Sequence, residues 1–221
     1  MFKNIKPVLG GFLCFAIVSC KKDIVNENGT GAGSNSGKAE TASYLPYNNG
    51  SKYTYSDSTT GGSSAVVSSA ILVSGDTTID GKIFSKTTTG DSPEYNYYSS
   101  ADGVTTLVNY NGQDKVTTTV LKVNEPVGAV WKDEFLNAGI PTTYEWKMVA
   151  KGINRTVKGV AYSNVIQVHL DGYAEVPVRG KLVFANSDYF YAPNVGLIEN
   201  ISYNPKTGDI EFQRLLQKPG A

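Results

Sequence analysis

The chain is poor in the residues from which reactive centres are usually built: of 221 residues, two are cysteine, one is histidine and two are methionine. One histidine cannot be combined with so few thiols into a zinc site of the usual His and Cys ligands, so no zinc is expected. No Asp-x-Asp-x-Asp-Gly loop offers calcium a ready-made set of oxygens, and no Gly-x-Ser-x-Gly elbow presents a nucleophilic serine. Gly10-Gly11 and Gly61-Gly62 lack the strand, lysine and helix of a phosphate loop. Charge of one sign is missing too: Lys plus Arg equals Asp plus Glu at 20 each, which leaves no positive excess to neutralise a nucleic-acid backbone. Leucine, methionine and alanine are too sparse for a helical bundle. No cofactor is implied.

What is present is material for strands and turns. The 14 tyrosines, 23 glycines and many Ser and Thr residues suit pleated, half-buried surfaces joined by tight turns. A hydrophobic content of 40% over this length supports one sizeable core. An all-β, single-domain fold is the expectation.

The most apolar run stands at the start. Lys3 and Lys6 precede it, Pro7 to Ser19 form it, and Lys21, Lys22 and Asp23 follow Cys20 at once. A basic head and a short apolar body make an export signal, because a spanning helix needs about 20 apolar residues. Ile17-Val18-Ser19-Cys20 resembles the lipobox of bacterial lipoproteins. The resemblance implies acylation of the Cys20 thiol and cleavage just before it, with residues 1–19 removed. Cys14 would leave with the signal, so the mature chain would hold no disulfide. Lys21 in the next place implies, by the same resemblance, sorting to the outer membrane. The run Lys21-Lys22-Asp23 also partly resembles the surface-export signal of Bacteroidetes-type lipoproteins, so the periplasmic face and the cell surface both stay open.

Residues 20–43 carry almost no apolar bulk, and their Gly, Ser, Asn and Thr content reads as a flexible tether. As a random coil it would span roughly 26 Å.

The folded domain is placed at 44–221. Asn49-Gly50, Asp80-Gly81, Asp102-Gly103 and Asn111-Gly112 are pairs that accept positive φ, with Thr207-Gly208-Asp209 as a fifth turn. Such spacing predicts an antiparallel meander, as a curved sheet, sandwich or half-barrel. Alternation puts Tyr144, Trp146, Met148 and Ala150 on one face of a strand; Val160, Tyr162, Ile166, Val168 and Leu170 do the same in the next, and Ile210, Phe212 and Leu216 in the last. Trp131 to Phe135, followed by Gly139 and Pro141, predicts a short helix or a loop.

The stretches "YLPYNNGSKYTYSDS", "DTTIDGKIFSK" and "YFYAPNVGLIENISY" resemble segments of uncharacterised β-rich lipoproteins of the Bacteroidetes type, which implies a fold neighbourhood without an assigned role. Physically, Pro193 and Gly196 make a turn after a strand with Tyr189 and Tyr191 on one face, and Leu197 and Ile198 start the next. His169 shares a face with Gln167 and Asp171, opposite the apolar set, and is expected at the surface without a catalytic role. Tyr95 and Tyr97 fall opposite Tyr98, a pattern in which a sugar-binding surface is conceivable but ordinary strand packing is the favoured reading. Asp57-Ser58-Thr59 and Asp76-Thr77-Thr78 resemble acceptors of Bacteroidetes-type O-glycosylation. The expectation is an outer-membrane lipoprotein held through Cys20, with no catalytic residue and a binding or structural β module; a carrier of an apolar ligand is the alternative and an envelope hydrolase a more distant one. Candidate partners beyond the membrane are a glycan, a lipid or an envelope protein.

Overall fold

A computed structural model describes residues 43–60, 67–90, 94–111 and 114–217. Cys20, the apolar signal, the tether to Ala42 and the Gly61-Gly62 pair lie outside the described residues, as does Gly112 of the expected Asn111-Gly112 turn.

Twelve strands follow one another: β1 (Lys52–Thr59), β2 (Val67–Ile79), β3 (Lys82–Thr89), β4 (Tyr95–Ala101), β5 (Val104–Asn111), β6 (Asp114–Lys122), β7 (Val130–Asn137), β8 (Ile140–Val157), β9 (Val160–Val176), β10 (Gly180–Ala192), β11 (Gly196–Tyr203) and β12 (Ile210–Leu216). Every hydrogen-bonded pair is antiparallel, and the spatial order is β6-β5-β4-β3-β2-β1-β12-β11-β10-β9-β8-β7. Sequence neighbours are space neighbours throughout, and β12 returns to β1. The sheet therefore rolls into a nearly closed barrel, with its two edges, β6 and β7, brought together. Among the described residues there is no helix.

Turn chemistry works as the dipeptides demand. Asp80 (φ 50) with Gly81 and Asp102 (φ 51) with Gly103 close the β2–β3 and β4–β5 hairpins in the left-handed region. In the β11–β12 loop the Asn204 side-chain carbonyl accepts from the backbone N–H groups of Lys206 and Thr207. Asn49-Gly50 serves differently: it lies ahead of β1, and the Gly50 N–H donates to Val73 at 2.9 Å.

The helix-or-loop expectation at Trp131–Phe135 is overturned, because this segment is β7, paired residue for residue with β8 from Val130↔Lys147 to Asn137↔Ile140. The i, i+4 aromatic pair that suggested a helix is equally an i, i+2, i+4 pattern, in which Trp131, Asp133 and Phe135 share one side of a pleat. Ala138-Gly139, both at positive φ, is its hairpin turn rather than a helix stop.

The core fills the inside of the barrel. Tyr55, Leu107, Leu121, Trp146, Met148 and Tyr191 are buried completely, each such side chain contributing about 1.5–3 kcal/mol by leaving water. Residues 43–50 lie across one end: Leu45 is buried, the Tyr53 hydroxyl donates to the Pro46 carbonyl at 3.0 Å, and Tyr47 stacks 4.7 Å from Tyr98. Alternation on β8 holds as far as Met148 and is then broken by successive bulges between Met148 and Arg155. These bend the distal β8–β9 hairpin back over the barrel wall, where Arg155 reaches Glu199 of β11 at 2.6 Å and stacks 4.0 Å from Phe190.

Candidate functional site

Directly paired residues of a sheet face the same side, so the register defines what lines the interior. One row runs Trp131, Trp146, Leu170, Ser187, Ser202 and Phe212 across β7 to β12. The next begins apolar with Met148, Val168 and Tyr189 and ends polar with Asn200, Arg214 and Asp57. Alternation in "DIEFQRLL" thus points Arg214 inward between Phe212 and Leu216, a position the apolar pattern did not single out. Its guanidinium holds Asp57 through two bonds, 2.8 Å from Nε and 2.5 Å from Nη2, while Ser69 donates to the same carboxylate at 2.7 Å. The fork geometry satisfies both charges, and Asp57 and Arg214 neutralise each other.

Towards the end opposite Leu45 the inner face of β7–β10 carries Phe135, Tyr144 and Phe184, with ring centroids 5.0 and 6.1 Å apart. Gly172 makes their packing feasible: a Cβ there would stand 2.9 Å from the Ala185 Cβ and 3.0 Å from the Phe184 ring.

The junction of the sheet edges has its own chemistry. The Trp131 indole N–H donates to the Thr119 carbonyl at 2.6 Å, and the Thr119 N–H donates to the Asp133 carboxylate at 2.8 Å. Both backbone groups of one β6 residue, Thr119, are thereby held by side chains of β7. Burial pushes the Asp133 carboxyl above its usual range, against the opposing pull of Thr119, the Trp146 indole and Lys122. The Trp146 N–H lies on Asp133's side of the barrel without completing a hydrogen bond.

His169, expected at the surface, is half-buried on the outer wall. Its Nδ1 lies 2.9 Å from Asp188 and its Nε2 3.7 Å from Asp171, and Tyr203 donates to Asp188 at 3.1 Å. The Asp188 hydrogen bond raises the imidazole pKa most, with burial opposing and Asp171 adding to it. Burial pushes Asp188 upward, but His169, Tyr203 and Gln167 outweigh it and hold the carboxyl low. Tyr203, partly buried and beside Asp188, is pushed up to about 12. With carboxylates facing both ring nitrogens, this histidine is placed to anchor two strands, β9 and β10, and no serine stands among its partners to receive its base function.

Tyr95 and Tyr97 do fall opposite the buried Tyr98, and Tyr110 joins them on the outer wall. The Tyr97 and Tyr110 rings meet at 88°, and the Lys86 ammonium covers Tyr95 at 3.8 Å, so they form no flat platform for a sugar. Of the two acceptor-like triplets, Asp57 is consumed by Arg214, and Asp76 accepts from Ser85 at 3.0 Å.

No family model and no curated protein matches the chain. Two solved structures resemble it. A Bacteroides fragilis protein, named as exported and as having a YmcC-like fold, is 11% identical with a TM-score of 0.50, over 82% of this chain and 100% of that one. A Parabacteroides distasonis protein named as a lipoprotein is 11% identical with a TM-score of 0.47, over 81% and 99%. At such identity the first shows a shared fold, that of the meander barrel described above, and nothing of activity.

Proposed function

We propose that the chain is a lipid-anchored lipoprotein of the outer membrane whose barrel is a non-catalytic binding or structural module. The observation that carries this reading is the Ile17-Val18-Ser19-Cys20 lipobox behind a basic, apolar signal. Acyl chains on Cys20 would give durable attachment at about 0.8 kcal/mol per buried methylene, with residues 20–43 as the tether. The described chain enters the fold at Ser43, whose carbonyl accepts from Asn194 at 2.6 Å, and β12 leaves at the same end, so an anchor there threads through nothing.

Two features support a module over a hydrolase or a preformed carrier. The carboxyls with displaced pKa, Asp133 and Asp188, belong to different strands and are each committed to a structural partner. Tyr55, Trp146, Met148 and Tyr191, all completely buried, fill the barrel at mid-height with the protein's own side chains. The test is Cys20→Ala: the variant should move to the soluble fraction or persist as its precursor, and mass spectrometry of the natural protein should find an acylated amino-terminal cysteine. An intact initiating methionine or a bare thiol overturns the anchor.

A further inference from the structure

Eleven of the barrel's junctions are backbone ladders; β6 and β7 are the edges at which the order begins and ends. Among the described residues no backbone hydrogen bond joins them, and the Trp131 and Asp133 side chains on Thr119 take the place of a ladder. Directly behind stand two completely or almost completely buried side chains whose polar atoms complete no hydrogen bond, the Trp146 indole nitrogen, which feels the Asp133 carboxylate without closing a bond to it, and the Thr118 hydroxyl. Trp146 is the ladder partner of Trp131, and Thr118 immediately precedes Thr119, whose N–H and carbonyl Asp133 and Trp131 hold. A buried donor left unpaired costs about 1–3 kcal/mol, and both orphans sit where the wall is weakest. Around them Leu170, Val120 and Leu121 are apolar and buried, and the Tyr189 ring lies 5.6 Å from Trp146.

We infer that the β6–β7 seam is a lateral gate through which the barrel admits an apolar, uncharged ligand bearing a hydrogen-bond acceptor. Trp131 is the door: releasing Thr119 lets its indole leave the inner row and frees space beside Trp146, whose N–H then finds an acceptor on the ligand. The Thr118 hydroxyl supplies a second bond, and the carboxylate of Asp133 disfavours an anionic head. In the closed barrel Trp131, buried beside Trp146, occupies the seat until displaced. This specifies the binding half of the reading above and is independent of the acyl anchor.

The chain's two tryptophans both stand at the seam, so their fluorescence reports it selectively. The full-length chain carrying Thr119→Cys and Lys132→Cys, with Cys14→Ser and Cys20→Ser so that the engineered pair holds its only thiols, would be titrated with N-phenyl-1-naphthylamine, an apolar amine, and with decyl acetate, an apolar ester that bears the acceptor, as its competitor. Tryptophan-sensitised emission of the probe should be at least about fivefold weaker in the oxidised, seam-locked form than in the reduced form, and decyl acetate should displace the probe only from the latter. Equal emission in the two forms overturns the gate, and failure of the ester to compete overturns the acceptor. Should the disulfide not form, hydrogen exchange of the unmodified chain decides: β6 and β7 amides should open at least about tenfold more readily than those of β1 and β12, and equal rates refute the inference. A missing acyl group at Cys20 would leave every one of these outcomes unchanged.

Discussion

Where the first and last strands meet, β1 and β12 pair from Tyr55↔Leu216 to Thr59↔Phe212; where the middle two meet, β6 and β7 share no ladder, and two side chains hold the backbone of one residue, Thr119. The distant closure ties residues 157 apart in sequence through Asp57 and Arg214, while the local one ties residues 14 apart through Thr119 and Asp133. Closing the longer loop costs about 2 kcal/mol more in chain entropy. The costlier junction carries the backbone ladder and the buried ion pair, and the cheaper one needs only the short Val123–Ala129 connection and two side-chain bonds. A barrel closed in this uneven way has one side built to stay shut and one able to part.

The largest effect expected from this asymmetry is at Arg214. Arg214→Met leaves the Asp57 carboxylate inside the barrel with only Ser69 as donor and should cost about 3–5 kcal/mol, since an uncompensated buried charge is far worse than no pair at all. The drop would be read from the urea midpoint. Combining it with Asp57→Asn should recover at least about half of the loss. A single-variant loss no greater than that at Trp131 would show that the two closures are equally firm.

An intermediate effect is expected at the seam. Trp131→Phe keeps a ring in the inner row but removes the N–H donor from the Thr119 carbonyl, a loss of about 1–2 kcal/mol. Its signature is location: hydrogen exchange should quicken in β6 and β7 while β1 and β12 keep their protection. Asp133→Asn should change stability by less than about 0.5 kcal/mol, because the amide oxygen still accepts from Thr119 and the cost of burying a charge disappears. Exchange that quickens equally around the barrel after Trp131→Phe would erase the distinction between the closures.

Much of this architecture was legible in the residues. Asp80-Gly81 and Asp102-Gly103 announced hairpins because few residues tolerate positive φ, and Trp146, Met148, Val168 and Leu170 announced a core face because a pleat alternates. The barrel's closure was not legible. Pairing of β1 with β12 joins segments at opposite ends of the chain, and nothing local in "KYTYSDST" or "IEFQRLL" encodes it. Arg214 illustrates the same limit: an arginine at an inward position reads as a break in the pattern until Asp57 is seen across the ladder. His169 was assigned its face correctly but not its burial, because Asp188 and Tyr203 come from strands whose adjacency only the fold supplies. Trp131–Phe135 failed for a different reason, since two aromatics four apart fit both a helical turn and one side of a strand.

A further small effect belongs to a place that neither closure touches. His169 and Asp188 face each other across the β9–β10 ladder, so backbone bonds already hold the strands that the side chains join. The raised imidazole pKa makes its contribution complete below the unfolded value of about 6.5 and lost as pH climbs through the folded one. The lowered carboxyl pKa of Asp188 makes its contribution complete above about 3.8 and lost as pH falls through its folded value. The pair therefore stabilises most strongly in mildly acidic solution, between these limits. Because His169 is partly exposed and screened by solvent, the decline from about pH 6 to pH 8 should stay below about 1 kcal/mol. His169→Gln should flatten that slope in urea titrations at successive pH values while leaving the protection of the β6–β7 amides unaltered. A slope that persists in the variant would assign the titration elsewhere, and seam amides that loosen with it would mean that the barrel wall transmits strain from its outer face to its weakest junction.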